Sequence, residues 1–186
     1  MEAVSAIPSA QASSGSVPGS LLKLPIPVVF SGYAEMLKHG LISNVEHWAE
    51  LLSFDIVNID YAALKRLVGE SVQVKEEIVE QDPFERNIRK ALNLGHTVGH
   101  AFESMALAEN RPVLHGYAVA WGIVCELYLS HTKVGFPKEK MRQTIRFIKD
   151  NYGVFTFDCK KYEQLYAFMT HDKKNTSGTI NFTLLK

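Results

Sequence analysis

Arg89-Lys90-Ala91-Leu92-Asn93-Leu94-Gly95-His96-Thr97-Val98-Gly99-His100-Ala101-Phe102-Glu103 is the stretch on which the reading of this chain turns. Taken as part of one helix from about Arg86 to Ala106, it stacks residues four apart on one face. Arg89, Asn93, His96 and His100 then form a polar stripe, with Leu92, Val98 and Phe102 facing elsewhere. Gly95 and Gly99 repeat the same spacing, each just before a histidine. Glycine costs a helix interior about 1 kcal/mol relative to alanine. Two of them imply that something approaches this backbone closely. The stripe is expected to be the wall of a site.

The sequence has 186 residues, with 20 basic and 20 acidic side chains, so its formal charge is zero. That balance gives no case for nucleic acid or an anionic membrane as the main partner. No apolar run reaches the roughly 18 residues of a spanning helix. Cys125 and Cys159 lack metal-type spacing and read as reduced thiols of a cytoplasmic protein.

Residues 1–20 are rich in Ser, Ala, Gly and Pro and read as a flexible leader. Leu21 to Phe30, interrupted by Pro25 and Pro27, is expected to be an extended entry segment. Helix signals dominate from there to the C-terminal region. Ser31 is the expected N-cap of a helix carrying Tyr33 to Leu41. Further helices are expected over Val45–Phe54, from Tyr61 through Leu67, and near Ser71–Gln81, before Asp82-Pro83 breaks the chain. His115 to about Thr132 is apolar around most of its circumference and is expected to be the central helix. Helices from Pro137 to Tyr152 and from Tyr162 to about Lys173 follow. Thr179 to Leu185 reads as a short strand or hairpin arm. The fold expected for residues 21–186 is mainly α, a bundle of six to eight helices.

Neutral imidazole is a common metal ligand, and i,i+4 spacing can aim His96 and His100 at one ion. Two hydrogen-bonded core histidines fit the same pattern. His-Thr-Val-Gly-His lacks the glutamate that a zinc protease places after its first histidine. Three further constellations are His115-Gly116, Glu35 with Lys38 at i,i+3, and the charged run from His171 to Gly178. One carboxylate with two or three histidines makes a catalytic-type Zn2+ shell. Lys38, Lys75, Arg89 and Lys173 supply cations for a phosphate and a carboxylate. The residues therefore point to a metal site beside an anion site, and to a small anionic substrate.

Ser31-Gly32-Tyr33-Ala34-Glu35-Met36-Leu37-Lys38-His39-Gly40, Leu92 through Ala101, Leu114-His115-Gly116 with Ala118-Val119-Ala120, and Asp172-Lys173-Lys174 with Gly178 resemble the 3-dehydroquinate synthase family. The resemblance runs in order from about Leu21 to Lys186. It implies a lyase of the shikimate pathway, feeding chorismate and aromatic amino acid biosynthesis. Such an enzyme converts 3-deoxy-D-arabino-heptulosonate 7-phosphate to 3-dehydroquinate and phosphate, with NAD and a divalent metal, Zn2+ or Co2+. It implies Glu35, His96 and His115 as metal ligands, so the two i,i+4 histidines need not share the ion. It gives Lys38, Asn93 and His100 to catalysis and Lys75, Arg89 and Lys173 to substrate binding. A homodimer is implied for the full-length enzyme. Tyr117 stands where the family often has glutamate, which puts the surroundings of the metal in question. No strand–Gly-rich loop–helix unit of the NAD-binding type is legible, and the resemblance is to the C-terminal half only. The expectation is that the NAD-binding domain is absent and that this chain alone is inactive. A related sugar-phosphate cyclase and a non-catalytic helical metal-binding domain are the alternatives.

Overall fold

The computed structural model describes residues 24–170 and 179–186. The expected leader and the run His171–Gly178, Lys173 included, lie outside the described residues. The described residues form seven α-helices: α1 (Ile26–Ile42), α2 (Val45–Ser53), α3 (Tyr61–Gln81), α4 (His96–Ala108), α5 (His115–Val134), α6 (Lys138–Tyr152) and α7 (Tyr162–Thr170). Short 3-10 segments cover Ile88–Asn93 and Cys159–Lys161.

α5 is the central element, packed against α1, α4 and α6. Its Val119, Ala120, Ile123 and Leu127 are fully buried in the larger core, together with Leu37 of α1, Leu51 of α2 and Ile148 of α6. A smaller core joins Val98, Phe102 and Met105 of α4 to Ala118 of α5 and Leu165 of α7. Buried Met141, Thr144, Ile148 and Tyr152 of α6 recur every three or four residues, the spacing that gives one inward helical face.

Four local expectations need correction. α1 begins at Ile26, so most of the expected extended entry segment is helical. Pro25 and Pro27 fall at the N-cap and in the first turn, where a missing N–H costs no hydrogen bond. Helix formation there also buries Val29 and Phe30. Ser31 is consequently inside α1, and its hydroxyl accepts from Gly116 N at 2.9 Å. Second, the segments from Tyr61 and from Ser71 are one helix, α3, capped by Asp60, which accepts from Ala62 N and Ala63 N. The weak former Gly69 is overridden by the inward face of Leu64, Leu67, Ser71 and Ile78.

Third, the stretch from Arg86 to Ala106 is not one helix. The 3-10 segment ends at Asn93, and Gly95 turns the chain at φ +79° before α4 starts at His96. That left-handed conformation suits glycine. Fourth, Thr179–Lys186 forms no strand. With no strand among the described residues for it to pair with, its backbone bonds to helix side chains instead. Thr97 Oγ1 donates to Asn181 O at 2.8 Å, and Leu185 N donates to Ser130 Oγ at 3.1 Å.

Candidate metal centre

Small residues set the geometry. A β-carbon on Gly122 of α5 would lie 2.0 Å from Gly95 O, and one on Gly99 would lie 2.9 Å from Ala118 O. A β-carbon on Gly116 would lie 1.9 Å from Ser31 O. What approaches the glycines of the organising stretch is therefore the backbone of α5, while Ser31 of α1 closes on the first turn of that helix. Each histidine of the centre is chain neighbour to one of these glycines: His96 to Gly95, His100 to Gly99, His115 to Gly116. Backbone contact between helices brings the imidazoles together.

His96, His100 and His115 each offer a ring nitrogen within 4.8 Å of the others. Their ring centroids are 5.4–5.8 Å apart. Glu35 of α1 enters from the third helix. Its Oε1 is 3.4 Å from His96 Nε2 and 3.7 Å from His115 Nε2. These contacts are too long or misaligned for hydrogen bonds, and the buried Oε1 has no hydrogen-bond partner. Glu35 Oε2 is paired with the Lys38 ammonium, whose side chain is 5% exposed.

The far side of each ring fixes what faces Glu35. His96 Nδ1 lies 3.1 Å from Leu94 O, and a carbonyl only accepts, so Nδ1 carries the proton. His115 Nδ1 lies 3.1 Å from Glu103 Oε2 and donates to that carboxylate. In the neutral rings both Nε2 lone pairs then point toward Glu35 Oε1. Three acceptors converge with no proton between them, the arrangement a divalent cation completes.

Burial pushes the His96 imidazole down, toward the neutral ligand form. Burial alone would raise the Glu35 carboxyl, but His96 in its protonated form and the Lys38 ammonium outweigh it and hold the group well below the usual carboxylate range. The hydrogen bond from His115 holds Glu103 down, and the same bond raises His115. His39, beside Lys38 in sequence, does not join the centre. It meets Ser71 Oγ at 2.6 Å, and burial, with the Lys38 charge adding, pushes it down to about 3.

Glu35, Lys38, His96, His100 and His115 thus come together. Arg89 and Asn93 lie on the segment before α4 and are held by the 83–85 loop. Arg89 Nη1 donates to Pro83 O at 2.8 Å, and Asn93 Nδ2 to Glu85 Oε1 at 2.7 Å. Asn93 also lines a groove of about 910 Å³ with Lys90, Thr97 and Asn181. Lys75 is exposed on α3, within electrostatic reach of His39. Tyr117 packs against Phe30, Trp121 and Tyr152, so its ring belongs to the aromatic core.

Two acids were not singled out from sequence. Glu103 lies three residues after His100 on the same face of α4 and orients His115. Glu126, in Ile123-Val124-Cys125-Glu126-Leu127, is fully buried and accepts from Gly95 N, Thr97 N and Val98 N. A lone carboxylate in the most apolar helix was the legible signal.

The family described as 3-dehydroquinate synthase C-terminal matches residues 32–175. A 3-dehydroquinate synthase of Parabacteroides distasonis is 60% identical over 158 residues, which are 85% of this chain and 45% of that protein. One from Leptospira interrogans is 42% identical over 158 residues, 83% of this chain and 43% of its own length. One from Oceanobacillus iheyensis is 40% identical over 168 residues, 90% and 46% respectively. The chain spans just under half the length of these relatives. The matched segment holds Glu35, Lys38, Asn93, all three imidazoles of the centre and Lys173, and by that match the chain belongs to the 3-dehydroquinate synthase family, in its C-terminal part.

Proposed function

We propose that this chain supplies the metal- and substrate-binding part of a 3-dehydroquinate synthase. The reaction would convert 3-deoxy-D-arabino-heptulosonate 7-phosphate to 3-dehydroquinate and phosphate. The observation that carries the reading is the convergence of Glu35 Oε1, His96 Nε2 and His115 Nε2, with the buried carboxylate oxygen otherwise unpartnered. Glu35, His96 and His115 would hold Zn2+ or Co2+. When bound, the ion supplies Lewis-acid polarisation of a substrate oxygen.

We assign the remaining roles as the family resemblance implies them. Lys38 balances Glu35 and presents a cation beside the centre. His100 offers an imidazole on the same wall, able to hold or pass a proton at a substrate oxygen. Arg89 and Asn93 flank the approach to α4, where a guanidinium can grip a carboxylate or phosphate in two hydrogen bonds. Lys75 and Lys173 add further charge for the anionic substrate. The complete enzyme would also use NAD. We assign the complete enzyme to the cytoplasm as a homodimer; among the described residues no helix is long and apolar enough to cross a membrane.

Metal analysis of the purified chain tests the reading. Near-stoichiometric Zn2+ is expected in the wild type and in His131→Ala, whose ring contacts Phe136 O at the end of α5. It is expected to be lost in His115→Ala. Equal metal content in all three proteins would refute the assignment.

A further inference from the structure

α4 begins without a cap of its own. Its N-cap, Gly95, has no side chain to accept from the first-turn N–H groups, which would otherwise be buried and unpaired. The acceptor comes from another helix. Glu126 Oε2 accepts from Gly95 N at 2.8 Å, while Oε1 accepts from Thr97 N at 3.1 Å and Val98 N at 3.4 Å. The two oxygens straddle His96, gripping the amide before it and the amide after it. Glu126 is 0% exposed, and the positive end of α4 favours its charge at that place.

α5, the helix that bears Glu126, carries His115 at its start. Glu126 lies eleven residues further on, a rise of about 16 Å. A grip on the His96 backbone from this point fixes α4 against α5, and so fixes His96 against His115. We infer that Glu126 is a positioning residue for the metal centre, acting through the backbone of His96 from the helix that bears His115. This role rests on the metal reading proposed above. Ser130 Oγ donates to Glu126 O at 2.7 Å and accepts from Leu185 N at 3.1 Å, so the turn carrying Glu126 is itself tied down by the C-terminal segment.

Glu126→Gln preserves shape but replaces one acceptor oxygen with an N–H donor that must face a backbone N–H. Co2+ affinity, measured by competition with a chelating dye, is expected to fall about 10- to 100-fold, the range for groups that orient metal ligands. Thr144→Val is the control. It removes the buried acceptor of Trp48 Nε1, a 3.0 Å bond between α6 and α2, and is expected to lower stability without changing Co2+ affinity. Unchanged affinity in Glu126→Gln, or an equal loss in Thr144→Val, overturns the role of Glu126. Failure of the wild-type chain to bind Co2+ overturns the metal reading itself, and this role with it.

Should Glu126→Gln not fold, reciprocity gives a test on the wild type. A cap that strengthens metal binding must be strengthened by it. Saturating Zn2+ is expected to slow amide hydrogen exchange at Gly95 and Thr97 severalfold, and to leave Met141 in the first turn of α6 unchanged. Exchange at Gly95 and Thr97 that ignores Zn2+ overturns the proposal.

Discussion

Gly122→Ala and Gly69→Ala insert the same methyl group into the interiors of two helices, with opposite expected outcomes. At Gly69 a β-carbon meets nothing within 4 Å. The substitution then only removes unfolded-chain freedom and improves helix propensity, a gain of about 0.5–1 kcal/mol. At Gly122 the new carbon would lie 2.0 Å from Gly95 O, 2.7 Å from Gly99 N and 2.9 Å from Gly95 C. All three are backbone atoms, so no side chain can rotate away. Ordinary contact begins near 3.4 Å, and α4 must retreat from α5 by about 1.4 Å to restore it. Overpacking of this kind costs about 1–3 kcal/mol, enough to outweigh the propensity gain. Retreat also carries His96 away from His115. Urea unfolding of the three proteins reads the first effect, and Co2+ titration reads the second. Gly69→Ala is expected to be stabilised with unchanged Co2+ affinity, and Gly122→Ala destabilised with weakened affinity. A Gly122→Ala protein as stable as the wild type, with intact Co2+ binding, would refute the claim that backbone contact sets the site.

Glu103→Ala removes the acceptor of His115 Nδ1 and frees that ring to turn; Zn2+ affinity is expected to fall about tenfold or more in a chelator competition, with the unfolding midpoint little changed because the side chain is only half-buried. Asp82 carries a pH signature. Burial pushes its carboxyl up, but the N–H groups of Arg86, Asn87 and Arg89 outweigh this and hold it below the usual carboxylate range. A depressed folded pKa contributes stability that is full above the ordinary carboxylate range and is lost as pH falls through the depressed value. The stability gap between wild type and Asp82→Asn, from urea midpoints across pH, is therefore expected to be widest near neutrality and to close in acid; a gap independent of pH would count against it.

The helical class was legible because periodicity reports which face of a segment is buried, as α6 shows plainly, while α5 was legible as the central helix because it is apolar around most of its circumference. The site residues were legible as types but not as a geometry. His96 and His100 suggested a shared stripe with Arg89 and Asn93, and a straight helix would have made one. Gly95 was read there as a point of close approach, which it is, but its positive φ also ends that stripe. Whether a glycine marks contact or a turn is decided by the neighbouring helix, here Ile123 and Val119 of α5, and spacing alone does not reveal that neighbour. Pro25 and Pro27 misled for a similar reason: a proline that breaks a helix interior is at home in a first turn. The C-terminal segment has strand composition but no strand to pair with among the described residues, so propensity gave way to tertiary context. Glu126 stands out in sequence as a charge inside an apolar run, but its role does not, because the amides of Gly95, Thr97 and Val98 that it satisfies are distant in sequence.

Glu35 and His115 lie 80 residues apart in sequence, and they meet only once α1, α4 and α5 have docked. The donor set therefore does not exist in the unfolded chain. A cation that binds there binds one side of the folding equilibrium, and its concentration becomes a variable of stability. At one hundred times its dissociation constant such a ligand adds about 2.7 kcal/mol, a sizeable part of the margin by which a domain of this size stays folded. The thermal midpoint of this chain would then follow the setting of a metal buffer, and a chelator would act on it as a mild denaturant.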